Sequence, residues 1–425
     1  MTDFLAEQII NIRKDFPILD QKVSNNTLIY FDNAATTQKP LQVIDAVSNY
    51  YKIMNASYQR SSHTLAFETS KMIDTTRQQF LQFIGLDTEK YAVIFTKNST
   101  EAINLVAYGY FHKKINETTL VQRQQQIILV SEAEHHSNLL PWMRICEEQG
   151  YQLAKIPVFL SGELDYTWIS TFITEHKSNV VFCAITHASN VTGIITDIAQ
   201  IKRILEQSDS RIPFLVDGAQ TAGHIPLSLA SISLDFFVCS AHKMYSPAGI
   251  GVLVLRKDFI PQIDPLLVGG GMVASVFQNT YEPFDNDQKF YAGTANAEAI
   301  AGFSAGITYL KNRGMENINK HELILRNYFA SKISIFSQLK HVGHPTNQNK
   351  LGIFAFSIPN WHPHDAADFF DNHGIAVRSG FHCAEPLHHA FRSSGTIRVS
   401  FSLYNSLQEI DIFIETLNDL LAKTE

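Results

Sequence analysis

Lys243 stands in the run CSAHKMYSPAGIGVL, residues 239–253, after a strand-like apolar stretch and before a tight Ser-Pro-Ala-Gly loop. Upstream, another apolar stretch closes on Asp217 within VDGAQ. A lysine able to form an imine, with an aspartate able to keep a ring nitrogen protonated, is what pyridoxal 5'-phosphate (PLP) asks of a protein. The pair predicts a PLP enzyme that carries its cofactor on Lys243.

A cofactor phosphate needs backbone or hydroxyl donors, preferably where a helix starts. In TKNSTEAINLVA, residues 96–107, Ser99 and Thr100 precede an acidic residue and an amphipathic helix. An ordinary helix cap explains that pattern equally well. Beside Ser240 and His242, which flank Lys243, it reads as a phosphate cup. His135 and His136 follow the stretch IILVSEAE, and an imidazole there suits stacking on a pyridine ring. A metal reading fails for lack of an HExxH pattern or regular Cys/His spacing, despite seventeen histidines. Asp217 alone fits a simple turn, but Gln220 three positions on suits a bond to a ring hydroxyl. Asn190, in THASNVTG, suits that same oxygen or a substrate carboxylate.

A second chemistry is written in AVRSGFHCAEPL, residues 376–387. Cys383 lies there among Gly380, His382, Pro386 and Arg378, whereas core cysteines rarely keep such company. Nearby positive charge lowers a thiol pKa, so a reactive thiol is expected. Arg398, in TIRVSFSLYN, offers a charged fork for an amino acid's carboxylate. A salt-bridging surface arginine is the plainer reading, less attractive inside an apolar strand.

The elements that must position these groups are legible in outline. Strands are predicted at 91–96, 127–130, 180–186, 213–217, 236–240 and 251–255, mostly separated by amphipathic helical patterns. Apolar runs without alternation mark a sheet buried on both faces, hence α/β with a mostly parallel central sheet. The polar candidates follow strand ends, where open α/β sheets hold ligands. From about residue 295 two helical stretches lead to the strands LGIFAFSI, IAVRS and TIRVSFS and a last helix, a smaller α+β C-terminal domain.

The 425 residues fit two domains better than one core. A 45% apolar content and no membrane-length apolar run predict a soluble protein; the N-terminus lacks a secretory pattern. The net charge of −7 argues against a nucleic-acid surface and, with no membrane partner expected, for a cytoplasmic protein. Of four scattered cysteines, Cys146, Cys183 and Cys239 read as buried core thiols, and no disulfide framework is expected.

The chain resembles the group II cysteine desulfurases of the SufS/CsdA type, in the class V branch of fold-type I PLP-dependent transferases. The likeness runs in order through YFDNAATTQKP, SEAEHHSNLLPW, THASNVTG, VDGAQ, SAHKMYSPAGIG, AGTAN, RSGFHCAEPL and RVSFSLYN. The resemblance implies Lys243 as the cofactor's lysine and Cys383 as persulfide carrier. It implies His135 stacked on the ring, Asp217 on the pyridine nitrogen and Gln220 on the phenolic oxygen. Thr100, Ser240 and His242 would serve the phosphate, with Thr294 from a partner subunit of a homodimer. Asn190, Arg378 and Arg398 match positions around the substrate. Phe381 departs from relatives that have a polar residue there.

The expected reaction converts L-cysteine to L-alanine and leaves sulfur on Cys383 for a small acceptor of SufE/SufU type, serving iron–sulfur cluster assembly. A selenocysteine lyase acting on L-selenocysteine is the alternative the same residues allow; a class V aminotransferase or a non-catalytic scaffold is more distant. The expected division is a segment at 1–25 packing on the small domain, a PLP-binding α/β domain at 26–295, and a linking helix with the small α+β domain and the cysteine loop at 296–425.

Overall fold

The computed structural model describes residues 11–59, 61–209 and 211–423. Seven strands form the central sheet: β1 (Tyr91–Thr96), β2 (Ile127–Ser131), β3 (Gln152–Ile156), β4 (Val180–Thr186), β5 (Phe214–Asp217), β6 (Phe236–Ser240) and β7 (Gly251–Arg256). Their spatial order is β1-β7-β6-β5-β4-β2-β3. Only β7 runs against its neighbours, β1 and β6; the remaining pairings are parallel. Apolar side chains alternate between two cores. Phe236 and Val238 of β6 pack on one face, Phe237 and Cys239 on the other. Burial on both faces explains why these strands read as unbroken apolar runs.

Strand β3, with sequence QLAKI, escaped the sequence reading. It is an edge strand with four of its five residues partly or fully exposed, so it lacks the apolar run that marks its neighbours. Cys183 and Cys239 are fully buried, as expected. Cys146 is only half-buried, at the margin of a helix-covered core, which corrects its reading as a core thiol.

The C-terminal sheet holds β8 (Lys340–Val342), β9 (Ile353–Ser357), β10 (Arg378–Gly380) and β11 (Thr396–Ser400), in antiparallel order β8-β9-β11-β10. The stretch IAVRS is not one strand. It breaks at Val377 into Ile375–Ala376, which pairs with Ile29–Tyr30, and β10. Ile29 and Phe31 consequently sit in the C-terminal core with Phe329, Phe354 and Phe413. This pairing ties the short segment at Ile29–Tyr30 to the C-terminal part of the chain.

Residues 1–10 of the proposed N-terminal segment lie outside the described residues. Farther on, Arg13 pairs with Glu409 at 2.6 Å, and Phe16 packs among Tyr245, Tyr309 and Tyr404. Among the described residues no helix is long and apolar enough to cross a membrane.

Candidate active site

The C-terminal ends of β2, β4, β5 and β6 meet at one edge of the sheet because these strands run parallel. Thr96, at the end of β1, arrives there too, since β1 and β6 both oppose β7 and both pair with Gly251. Gly251 has to lack a side chain, as a Cβ would meet Asn98 backbone at 2.2 Å. A cleft of about 210 Å³ opens at this edge. It is lined by Ser99, Thr100, His135, Asn190, Asp217, Gln220, Ser240, His242, Lys243, Arg378 and Arg398. Positions spread over some three hundred residues of sequence thus converge.

The helix after β1, Ser99–Ile115, is capped by Asn98, whose side chain accepts from Glu101 N at 2.9 Å. Capping therefore does not occupy Ser99 or Thr100. Ser99 Oγ lies 2.8 Å from Ser240 Oγ, and Thr100 Oγ1 lies 2.7 Å from Ser137 Oγ. Hydroxyls gathered at a helix N-terminus form an anion site. Ser137 was missed from sequence, because nothing but proximity distinguishes it from other serines.

At the opposite end, Asp217 is 4% exposed and accepts from Ala219 N at 3.0 Å. Burial raises its carboxyl pKa, opposed by that bond and by Lys243. Lys243 ends a one-turn helix, Ala241–Lys243. The preceding carbonyl, of His242, is held by Thr36 Oγ1 at 3.0 Å, Thr37 N at 3.1 Å and Lys39 Nζ at 2.9 Å. Desolvation draws the Lys243 ammonium down to about 8; Asp217 resists, while Arg398 and Arg378 reinforce the fall. A deprotonated amine is thereby accessible near neutral pH.

His135 Nδ1 accepts from Ser137 N at 3.1 Å, which puts the ring proton on Nε2. Burial first, then the charge of Lys243, lowers its pKa to about 3, so the imidazole is neutral. His242 is lowered to about 4, again chiefly by desolvation. Gln220 donates to Ala34 O at 2.9 Å.

The substrate end is built by the second sheet. Arg398 is 2% exposed, which rules out the surface reading. It donates to Asp32 Oδ1 at 2.8 Å and Asn190 O at 3.1 Å, and its Nε is buried without a partner. Asn190 donates to His382 O at 2.7 Å, leaving its Oδ1 unpaired. Asp32 was not singled out from sequence, since its motif position carries no chemical signal until Arg398 lies beside it.

Cys383 does not line the cleft itself; its neighbour His382 does. Both have left-handed backbone, φ 54° and 58°, at residues where that conformation is costly. The turn is held by His136 N to Cys383 O at 2.7 Å and by the Asn190 bond. His382 brings no positive charge to the thiol, because burial and the nearby arginines push its pKa well below the usual range. That corrects the expected role of His382 in thiol activation and leaves Arg378 as the charge in the loop. Phe381 packs edge-on against His388, ring centres 5.5 Å apart, so its apolar character serves packing. Thr294 is not brought to the cleft; it is exposed and borders a separate cavity with Tyr58, Arg77 and Tyr291.

Hydroxyls and a helix start at one end, a buried carboxylate at the other and a lysine between them fit PLP. The unpaired Arg398 Nε and Asn190 Oδ1 fit a carboxylate-bearing, amine-bearing substrate beside it.

The family model for "Aminotransferase class-V" matches residues 29–413. A probable cysteine desulfurase of Synechocystis sp. is 35% identical over 408 residues, 96% of this chain and 94% of the relative. A cysteine desulfurase of Escherichia coli K12 is 34% identical over 411 residues, 96% of each chain. Among solved structures, the apo cysteine desulfurase of Thermococcus onnurineus NA1 superposes with a TM-score of 0.87 at 32% identity, covering 97% and 98% of the two chains. The Escherichia coli cysteine desulfurase CsdA, with S-sulfonic acid, gives 0.84 at 27% identity, over 97% and 98%.

Proposed function

This chain belongs to the class-V aminotransferase family, and from that membership and the geometry of its cleft we propose that it is a PLP-dependent cysteine desulfurase of the SufS/CsdA group. The observation that carries the reading is the meeting of Lys243, Asp217 and Arg398 in one cleft, with Cys383 on a strained turn at its rim. An aminotransferase has no use for that turn.

When bound, PLP supplies an electron sink that acidifies the Cα–H of an amino acid and loosens its Cβ–S bond. Ser99, Thr100, Ser240, His242 and Ser137 hold the phosphate, Asp217 keeps the ring nitrogen protonated, and Gln220 and His135 orient the ring. Arg398, with Arg378 and Asn190, fixes the carboxylate of L-cysteine. The Lys243 amine takes the Cα proton and later returns one. Cys383, as thiolate, attacks the substrate sulfur; the Sγ–S bond forms as the Cβ–S bond breaks, leaving a persulfide and, after proton return, alanine.

The persulfide passes to a sulfur acceptor, in this reading a small protein of SufE/SufU type feeding iron–sulfur cluster assembly in the cytoplasm. A homodimer completes the site, with Thr294 of the second copy joining the phosphate donors; its exposure away from its own cleft supports this. The chain divides into an N-terminal segment at 1–25, the PLP-binding domain at 26–295 and the small domain with the cysteine loop at 296–425, and Ile29–Tyr30 pairs with Ile375–Ala376 across that division. The deciding experiment incubates purified, PLP-loaded protein with L-cysteine, with and without a thiol reductant. Stoichiometric alanine and reductant-dependent sulfide are expected. No alanine under either condition would sink the reading.

A further inference from the structure

His382, Thr396 and His388 form a hydrogen-bonded chain behind the cleft, and its proton order can be read from one end to the other. His388 Nδ1 lies 3.0 Å from the Ala384 carbonyl oxygen. A carbonyl only accepts, so Nδ1 carries the ring proton. Burial keeps this imidazole neutral by lowering its pKa. Nε2 of His388 is therefore bare and accepts from the Thr396 hydroxyl at 3.1 Å. That hydroxyl has one proton to give. Its oxygen must then accept from His382 Nε2, which lies 2.8 Å away. In neutral His382 the remaining nitrogen, Nδ1, keeps its lone pair, and this atom is buried with no hydrogen-bond partner. His382 is 4% exposed and lines the cleft beside Lys243 and Arg398.

Two thiols meet in the proposed reaction and need opposite protonation. Cys383 has to attack as a thiolate, whereas a substrate sulfur carrying negative charge would repel it. The substrate thiol must stay protonated, and a weakly basic acceptor holds an S–H without removing its proton. We propose that His382 Nδ1 accepts a hydrogen bond from the thiol of the amino-acid substrate, with Thr396 and His388 as positioning residues that fix its tautomer. The proposal rests on the desulfurase reading and adds the group that handles the substrate's sulfur. In the step the Cys383 Sγ–S bond forms and the substrate Cβ–S bond breaks. The electron pair of the broken bond stays with the carbon skeleton, and the sulfur's proton stays on the outer atom of the persulfide. No outside oxidant or reductant enters.

The test uses PLP-loaded enzyme with 15N-labelled histidine, together with Thr396→Val and Thr396→Ser. In the wild type the His382 Nδ1 resonance should be that of an unprotonated nitrogen. Thr396→Val removes the acceptor for Nε2–H, so the ring proton should redistribute toward Nδ1. KM for L-cysteine should then rise roughly fivefold or more, the worth of about one hydrogen bond. Affinity for L-alanine, which has no S–H, should hold, and Thr396→Ser should restore both the shift and the KM. A protonated Nδ1 in the wild type overturns the proposal even if Thr396→Val does not fold. So does an unchanged KM in folded Thr396→Val, or an equal loss of L-alanine affinity. Absence of alanine release by the wild type would instead overturn the desulfurase reading, while the nitrogen shifts still report the tautomer.

Discussion

Arg398, which lines the cleft, forms an ion pair with Asp32 at 2.8 Å, joining β11 to the segment that follows Ile29–Tyr30. The pair takes one end of the guanidinium fork and Asn190 O another, so Nε is the guanidinium nitrogen left buried without a partner. Arg398→Lys keeps the charge but loses Nε and the fork. We expect KM for L-cysteine to rise about 10- to 100-fold, the worth of a charge-assisted bond, with PLP retained. Unchanged KM would remove Arg398 from the substrate site.

Borohydride should fix PLP irreversibly to the wild-type protein and not to Lys243→Ala, as read by intact mass. The variant should still take up PLP weakly through Asp217 and the phosphate donors, and release no alanine. PLP fixed on another lysine would overturn the assignment.

The pH dependence of PLP attachment follows from the burial of Lys243. Only the neutral amine attacks an aldehyde, and the pKa of Lys243 is lowered to about 8. Attachment to the apoprotein should therefore speed up from pH 7 and level off above about pH 9, where an ordinary lysine near 10.4 would still be gaining. The sign for stability is opposite to that of a salt-bridged lysine. Charging a buried amine is unfavourable, so the group costs apoprotein stability at pH below about 8, and the cost is relieved as pH rises toward 10.5. Attachment rates with the profile of a free lysine would contradict the burial argument.

Cys383→Ser preserves volume but replaces a thiol by a hydroxyl that hardly ionises at neutral pH. The variant should bind PLP and L-cysteine, form no persulfide and release almost no alanine. Alanine release from L-cysteine at the wild-type rate would restore a lyase or aminotransferase.

Gly218, next to Asp217, faces the Phe237 ring so closely that a Cβ would lie 2.2 Å from it. Gly218→Ala should cost about 1–3 kcal/mol by overpacking, seen as a lowered denaturation midpoint, and should weaken PLP binding by shifting Asp217. Full stability with full PLP affinity would show that the ring yields freely.

The amino-acid sequence by itself determined the parallel α/β architecture, because strands buried on both faces have to be apolar throughout. It also marked Lys243, Asp217, Arg398 and Cys383, whose types stand out against the strands and loops that carry them. The edge strand at Gln152–Ile156 was silent, since exposure leaves its residues free to be polar. What only the tertiary structure decided was partnership. Asp32 gains meaning from Arg398, and Ser137 from Thr100; each pair is distant in sequence. Ile29 and Phe31 chose the C-terminal core through strand pairing that no local pattern encodes. The state of His382 was least legible of all. A histidine's tautomer depends on which acceptor each nitrogen meets, and those acceptors, Thr396 and the groups beyond it, are assembled only when the cysteine loop folds back onto the second sheet.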